Sequence, residues 1–322
     1  MPASTLYEKI EWRIREYNAR LRYWMAQRGL LAADRDYHPF IILCDIRSGS
    51  TMLTSFLGGH PNVLMFFELF HVDRSQVPFK VDGFRGKARD KRVVDLRNTD
   101  PAKFLEQEVF RVYPAHLDAV GFKLLYTQAR SQKMWWDTPK YSDWWKHMDG
   151  SRKAWWNAGS DLWSYLRSRT DIRIVHLVRE NLLRQKLSGR LAKATNKWGV
   201  GATGGIVESE ERPRVSLDPE LCKRDFEAKE RMQREAEQDF KDHDLLRTSY
   251  EKILDDPSAE LTRIQRFLGL DVESLHTETQ KQEKRPLDQA IINYSELHAA
   301  MEDTPWIRFF EETDPDHEID AA

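Results

Sequence analysis

The chain has 322 residues, with 50 Lys and Arg against 52 Asp and Glu, a formal net charge of −2 at pH 7 and 40% hydrophobic residues. This near-balance excludes a general polyanion-binding surface such as nucleic-acid proteins carry, so any anion site must be local. Cys44 and Cys222 are too few for a disulfide framework and favour a reducing compartment. No run approaches the roughly 20 apolar residues that span a bilayer, and the N-terminus lacks the layout of a signal peptide, so we expect a soluble, cytoplasmic protein.

Residues 1–35 are predicted to form a long amphipathic helix. Thr5 and Glu8 have the spacing of a capping box. Apolar residues follow at intervals of three and four, namely Tyr7, Ile10, Ile14, Tyr17, Leu21 and Trp24. We interpret this stripe as the face that packs on the following domain, with a partner-helix seam or a membrane-surface role as alternatives.

Residues 40–51 run an apolar strand into a turn of small residues that opens a helix. Free N–H groups at a helix start, together with the helix dipole, attract anions, and Arg47 adds a full positive charge. The segment therefore predicts a pocket for a phosphate-like anion, although an ordinary turn capped by Ser48 or Ser50 would share the pattern. The residues predicted to bind the anion are Arg47, Ser48, Gly49, Ser50, Thr51 and Met52.

The nucleotide triphosphate P-loop, G-x-x-x-x-G-K-[ST], is the obvious comparison for this turn. Its lysine and its first glycine are both missing here. A P-loop nucleotide kinase or other phosphotransferase is therefore an alternative rather than the favoured function.

Residues 172–192 repeat the arrangement of an apolar strand, an arginine and a helix. Arg179 stands at the turn, and Ser188 follows nine residues later, about two and a half helical turns on. Both side chains reach the same edge of a sheet only if this helix passes close to the ligand.

The order of the elements predicts an α/β fold, a P-loop-like doubly wound parallel sheet flanked by helices. Ligands of such sheets bind at the carboxyl ends of the strands, where both arginine turns fall. The predicted strands are 39–45, 119–125, 172–178 and 244–248, and the predicted helices begin at Thr51 or cover 101–111, 180–194 and 218–241.

The short loop of form [KR]-S-G-[ST]-[ST] resembles the 5′-phosphosulfate loop of sulfotransferases that use 3′-phosphoadenosine 5′-phosphosulfate (PAPS). Arg179 and Ser188 resemble the motif with which these enzymes bind the 3′-phosphate of PAPS. The phrase His-Leu-Val-Arg-Glu-Asn-Leu-Leu-Arg-Gln, from residue 176 on, is close to the carbohydrate or trehalose-type bacterial branch.

The resemblance implies transfer of a sulfuryl group from PAPS to an acceptor hydroxyl, without a metal. A glycan or glycolipid is the favoured acceptor, with a lipid, polyketide or aromatic alcohol as alternatives. It also implies that Lys123, at the end of the third strand, lies near the cofactor, and that Gln282 and Arg285 approach the nucleotide. The C-terminal Arg-Lys-Gly loop of small-molecule sulfotransferases is absent.

Two residues are candidates for the base that takes the proton of the acceptor hydroxyl. Glu68 lies in an apolar run, where burial among phenylalanines would strengthen a carboxylate as a base, and it matches a glutamate of the trehalose-type enzymes. His71 is the second candidate, because histidine titrates near neutral pH. Arg47 and Lys123 are expected to stabilise charge on the leaving side.

Two insertions interrupt the main domain, residues 36–310. Residues 133–163 hold seven of the 11 tryptophans and are predicted either to recognise the acceptor or to form a small aromatic core. Residues 196–216 are glycine-rich and are predicted to be a mobile loop that either acts as a lid or is disordered. An acidic tail covers 311–322, and a homo-oligomer is possible.

Overall fold

The computed structural model describes residues 6–71, 75–129, 161–195, 213–277 and 285–311, with side chains from residue 10 onward. The strands, numbered in chain order, are β1 (Ala33–Asp34), β2 (His38–Cys44), β3 (Val63–Phe66), β4 (Tyr113–Pro114), β5 (Ala119–Leu125), β6 (Arg173–Val178) and β7 (Leu245–Ser249). The helices are α1 (Leu6–Gln27), α2 (Ser50–Gly58), α3 (Lys91–Thr99), α4 (Pro101–Phe104), α5 (Tyr126–Ala129), α6 (Leu182–Thr195), α7 (Pro219–Asp239), α8 (Tyr250–Asp255), α9 (Pro257–Phe267), α10 (Leu287–Ala290) and α11 (Tyr294–Met301).

Five parallel strands form the central sheet, in the order β3-β5-β2-β6-β7. On the middle strand β2, Ile42 lies between Lys123 of β5 and Val175 of β6. β2 is buried on both faces, which is why its sequence is a continuous apolar run rather than an alternation. The doubly wound α/β prediction is confirmed.

Hydrophobic clusters cover both faces of the sheet. One contains Ile41, Phe66 and Phe122, and the other contains Ile42 and Leu53. Because β2 contributes alternate residues to the two clusters, its position and register are fixed from both sides. This fixes the loop at its carboxyl end.

Most predicted strand and helix boundaries agree with the structure to within two residues, with three exceptions. The helix predicted over 1–35 ends at Gln27, and Ala33–Asp34 form β1 instead; β3 was not predicted. The helix predicted over 101–111 also differs. Only Pro101–Phe104 is α-helical, and Leu105–Val109 continue as a π-helical turn. Phe104, Leu105 and Val109 are all buried in the core, so packing decides this local geometry.

The prediction that the apolar stripe of α1 packs on the domain is wrong. Ile10, Ile14, Tyr17, Leu21 and Trp24 are exposed by 42% to 67%. Another face of the helix contacts the domain: Glu16 Oε2 accepts from the Gly83 N–H over 2.7 Å, and Tyr23 packs on Phe84. Alanines on that face allow a close approach, so a residue pattern based on large apolar side chains overlooks it.

Several predictions lie outside the described residues. These are Thr5 of the capping box, six of the seven tryptophans in 133–163, most of the 196–216 loop, Gln282 and the tail after residue 311. Trp163 is described, and it is a core residue: its ring packs on Phe240 and its Nε1–H donates to Asp239 over 2.9 Å. No helix among the described residues is both long and apolar enough to cross a bilayer.

Candidate active site

The loop between β2 and α2 has a backbone that few residues adopt. Arg47 has a φ of 63° and Gly49 a φ of 82°, both in the left-handed region. A Cβ on Gly49 would lie 2.2 Å from Cδ2 of Tyr250, so the position also requires glycine on steric grounds. Ser48 Oγ donates to the Asp45 carbonyl over 2.8 Å, which closes the turn. Strain of this kind is typical of sites that hold a ligand.

A buried ion pair supports the loop between β2 and α2. Asp45 forms an ion pair with Lys229 of α7, and both side chains are buried. Gln185 of α6 donates from Nε2 to Asp45 Oδ2 over 2.9 Å and to the Ile46 carbonyl over 2.6 Å. The loop is thus fixed by two helices that are distant in sequence.

The two arginine turns come together. Arg47 Nε–H donates to Ser188 Oγ over 3.0 Å, and Arg179 donates from NH1 to the Arg47 carbonyl over 3.4 Å. Burial, and secondly the neighbouring Arg179, lower the pKa of the Arg47 guanidinium. Two close guanidiniums in a partly buried place favour a bound anion, because an anion offsets their repulsion and their lost hydration.

Residues at the end of β7 hold Arg179. Its guanidinium lies 4.7 Å from the centre of the Tyr250 ring. The Glu251 carboxylate accepts the backbone N–H groups of Glu180 and Asn181 over 2.9 and 3.2 Å, and burial raises the pKa of this carboxyl. Among the described residues, the buried Nε–H of Arg179 has no hydrogen-bond acceptor, so it can serve a ligand.

Glu68 lies on the other side of the loop, and its surroundings differ from the sequence prediction. Its Oε1 is 2.7 Å from Lys123 Nζ, and its Oε2 accepts from Gln128 Nε2 over 3.1 Å. The expected apolar environment is therefore wrong: Lys123 of β5 and Gln128 of α5 reach the carboxylate across the sheet edge. Lys123 Nζ also donates to Thr51 Oγ1 over 3.5 Å, which joins Glu68 to the loop.

A cleft of about 530 Å³ is lined by Thr51, Thr54 and Ser55 of α2, by Phe67 and residues of β3, and by Lys80. Glu68 and Lys123 do not line it, but Thr51, which contacts Lys123, does. Lys80 has a φ of 52°, and its ammonium lies 4.0 Å from the centre of the Phe67 ring. Burial lowers the pKa of Lys80, an effect that Glu68 partly offsets.

The remaining predicted residues take different places. Met52 packs its side chain in the core, and its N–H donates to the Gly49 carbonyl over 3.0 Å, so it supports the loop. His71 is exposed. Of the two candidate bases, Glu68 is the one whose contact with Lys123 is described. Arg285 donates from NH2 to the Pro213 carbonyl over 3.3 Å, and its approach to a nucleotide stays a prediction.

Sequence reasoning missed Lys229, Gln185, Gln128 and the pair Tyr250–Glu251. Gln128, Tyr250 and Glu251 lie within three residues of the ends of β5 and β7, so the sequence could have placed them at the carboxyl edge of the sheet. Lys229 offered none, because it lies within a highly charged helix and becomes buried only when α7 packs. Within the described ranges, no three His, Cys, Asp or Glu side chains cluster as metal ligands.

A five-stranded parallel sheet flanked by helices, with a strand–loop–helix turn at its carboxyl edge, defines a P-loop-like α/β fold. The chain belongs to the sulfotransferase family, whose profile matches residues 39–274. It is also 24% identical over 279 residues to nodulation protein H of Rhizobium meliloti strain 1021, covering 85% of this chain and 95% of that one. Nodulation protein H of Rhizobium tropici is 26% identical over 277 residues, with 85% and 93% covered.

Proposed function

We propose that the protein transfers a sulfuryl group from PAPS to a hydroxyl of an acceptor, most favourably a glycan or glycolipid. The observation that carries the proposal is the meeting of Arg47, Arg179 and Ser188 on one side of a loop whose other side adjoins Glu68 and Lys123. One side suits an anionic donor, and the other suits a reacting hydroxyl. Family membership supports the same reaction class.

The donor would supply a sulfuryl group on a phosphate leaving group. Arg179 and Ser188 would bind its 3′-phosphate, with the acceptor-free Nε–H of Arg179 as one available donor. Arg47 and the first N–H groups of α2, which have no acceptor within a helix, would bind the phosphosulfate. Met52 and Ser48 would act by shaping the loop, since the Ser48 hydroxyl is engaged with Asp45.

Glu68 would take the proton of the acceptor hydroxyl as its oxygen attacks sulfur. Gln128 and Lys123 hold the two carboxylate oxygens and so fix the orientation of the base. In the balanced step, the acceptor O–S bond forms, the bond from sulfur to the bridging phosphate oxygen breaks, and the proton ends on Glu68. Lys123, with Thr51, is placed to stabilise charge on the transferring group.

The cleft supports the choice of acceptor. The hydroxyls of Thr51 and Ser55 and the Phe67 ring line this cleft, and a mixture of hydrogen-bonding groups and an aromatic ring suits a sugar. A lipid, polyketide or aromatic alcohol remains the alternative class. A metal-free reaction and a cytoplasmic location remain predictions, and no structural observation favours the kinase alternative.

The donor is tested by thermal unfolding with 3′-phosphoadenosine 5′-phosphate, and separately with ATP and magnesium. A ligand at 100 times its Kd adds about 2.7 kcal/mol to the folded state, so we expect Tm to rise by several degrees with the first ligand. Arg179→Met and Ser188→Ala should reduce the rise. Arg266→Met, which removes an exposed arginine of α9, is the control and should keep it.

A Tm rise with ATP and magnesium alone would contradict the proposal and favour a phosphotransferase. An equal rise in all variants would place the nucleotide elsewhere. The acceptor class is tested next, by transfer of ³⁵S-labelled sulfuryl groups to panels of oligosaccharides, lipids and phenols.

A further inference from the structure

The charged residues at the cleft form a cationic cluster. Lys80, Asp82 and Arg85 line the cleft. The Asp82 carboxylate lies between two guanidiniums, since its Oδ1 is 3.5 Å from Arg85 Nε and its Oδ2 is 3.6 Å from Arg15 Nε. One carboxylate therefore faces two arginines, and Lys80 adds a further positive charge. The cluster keeps a net positive charge even when the buried Glu16 behind it is counted.

Lys80 is the member of this cluster without an ionic partner. Among the described residues its ammonium makes no hydrogen bond or ion pair, and it lies over the Phe67 ring, 4.0 Å from the ring centre. Its φ of 52° is in the left-handed region, which is costly for a residue other than glycine. Phe79 and Val81, its neighbours, both pack in the core. Core packing thus holds a strained turn that leaves Lys80 at the cleft.

The Phe67 ring also connects Lys80 with the proposed reaction centre. Lys123 Nζ lies 4.9 Å from the centre of this ring, so the distances of 4.0 and 4.9 Å limit the separation of the two ammonium nitrogens to 8.9 Å. Lys123 Nζ is in turn 2.7 Å from Glu68 Oε1. A group bound at Lys80 would therefore lie within one or two sugar units of a hydroxyl held at Glu68.

We propose that Lys80 determines acceptor specificity by binding a negatively charged substituent of the acceptor, a carboxylate or an ester sulfate. This inference rests on the proposed function and narrows its acceptor from glycans in general to acidic glycans. Thr51 and Ser55 line the same cleft and can hydrogen-bond sugar hydroxyls. The Phe67 ring offers a surface for the apolar face of a sugar.

The chemistry of the cationic cluster selects an anion over other substituents. The ammonium of Lys80 has three donors and no acceptor, and an anion would supply the acceptor and offset the excess positive charge. A neutral hydroxyl would leave that charge in place, and an amino sugar would be repelled. An ammonium is a point charge rather than a planar fork, so its shape does not distinguish a carboxylate from an ester sulfate.

Equilibrium binding to the enzyme saturated with 3′-phosphoadenosine 5′-phosphate tests the proposal. The probes are matched pairs that differ in charge: oligosaccharides of galacturonate, alginate and hyaluronan with their carboxyl methyl esters, and κ-carrageenan oligosaccharides with their desulfated forms. We expect at least one charged probe to bind ~10-fold more tightly than its neutral partner, the scale of a hydrogen bond to a charged group. The first three pairs report a carboxylate and the last an ester sulfate. Equal binding within every pair, or binding of no probe, would overturn the proposal.

Variants assign the charge preference to Lys80. Lys80→Met should remove most of the preference, and Lys80→Arg should keep it, with an unchanged affinity for 3′-phosphoadenosine 5′-phosphate in both. Lys91→Met is the matched control, because Lys91 is an exposed lysine of α3 that does not line the cleft. A preference that survives Lys80→Met, or that Lys91→Met also removes, would show that Lys80 is not its source.

Transfer of ³⁵S-labelled sulfuryl groups separates this inference from the proposed function. Lys80→Met should raise the KM of the charged acceptor by ~10-fold and leave kcat and the donor KM within about two-fold of the wild type. A fall in kcat with an unchanged acceptor KM would overturn the proposal, because Lys80 would then act on the transferring group. Charge-selective binding without any transfer would contradict the proposed function and not the role of Lys80. Transfer to neutral acceptors alone would contradict the role of Lys80 and not the proposed function.

Discussion

The two sides of the loop differ in how their charges are balanced. On the donor side, Arg47 and Arg179 lie next to each other, and the contact described for the Arg47 Nε–H is a neutral hydroxyl. On the base side, the Glu68 carboxylate is matched by the Lys123 ammonium and the Gln128 amide. In the first arrangement Arg179 Nε lies 4.0 Å from the Glu251 carboxylate, and the two adjacent guanidiniums favour a further anion. The second is already balanced, and its contacts fix a carboxylate in one orientation.

The largest expected effect distinguishes the proposed base, Glu68, from the proposed donor-binding residues, Arg47 and Arg179. Glu68→Gln keeps the shape of the site but cannot accept a proton, so we expect turnover to fall by ~10²- to 10⁴-fold, the usual contribution of a general base. Binding of 3′-phosphoadenosine 5′-phosphate, measured by calorimetry, should change little. His71→Gln is the matched variant for the second candidate and should leave turnover nearly intact; the reverse result would make His71 the base.

Loss of the ion pair between Asp45 and Lys229 should lower the free energy of unfolding. Lys229→Met leaves the buried carboxylate of Asp45 without its ion-pair partner, which typically costs about 3–5 kcal/mol. Urea unfolding measures this loss. The double variant Asp45→Asn/Lys229→Met should recover part of it, because no charge then remains buried. Equal stability of wild type and Lys229→Met would show that this pair does not support the loop.

The guanidinium of Arg179 should affect the donor and not the acceptor. We expect Arg179→Met to raise the donor KM by about 10- to 100-fold, since a hydrogen bond to a charged group contributes about 1.5–3 kcal/mol. The KM of the acceptor should stay within about two-fold of the wild type. If both constants rose together, the two sides of the loop would not be separable sites.

The smallest expected effect is a pH dependence of the folding stability that comes from the buried His176. His176 on β6 hydrogen-bonds through Nδ1 to Glu237 over 3.1 Å and through Nε2 to Tyr126, three residues after Lys123. Burial lowers the pKa of His176 below its ordinary value of 6.5. The unfolded chain therefore binds a proton first as the pH falls, so stability decreases below about pH 6.5.

Tm measured from pH 7.5 to pH 5 checks this dependence. His176→Gln should flatten the curve relative to the wild type, although His38 and His116, whose pKa values burial also lowers, keep some slope. Identical slopes in both proteins would show that folding does not lower the pKa of His176.

Local patterns predicted most of the strands and helices, although not β3, whereas the donor-binding roles of Arg47 and Arg179 stay predictions. The β2–loop–α2 segment and the strand before Arg179 each carry their signal within about 20 consecutive residues. The hydrogen bond of Arg47 to Ser188 could not be predicted, because each residue belongs to a separate motif and the two motifs are far apart in the chain. The periodicity of large apolar residues predicts that the stripe of α1 packs on the domain, but Glu16 and Tyr23 of another face contact Gly83 instead.

The sequence by itself determined the α/β architecture and the positions of the two arginine turns at the ends of their strands. These features follow from short-range periodicity and from the requirement that parallel strands end at one edge. Only the tertiary structure decided that Lys123 and Gln128 balance Glu68, that Lys229 lies buried beneath the loop, and that the stripe of α1 faces outward. Each of these depends on the packing of segments far apart in the chain, which fixes burial and charge pairing that no local pattern encodes.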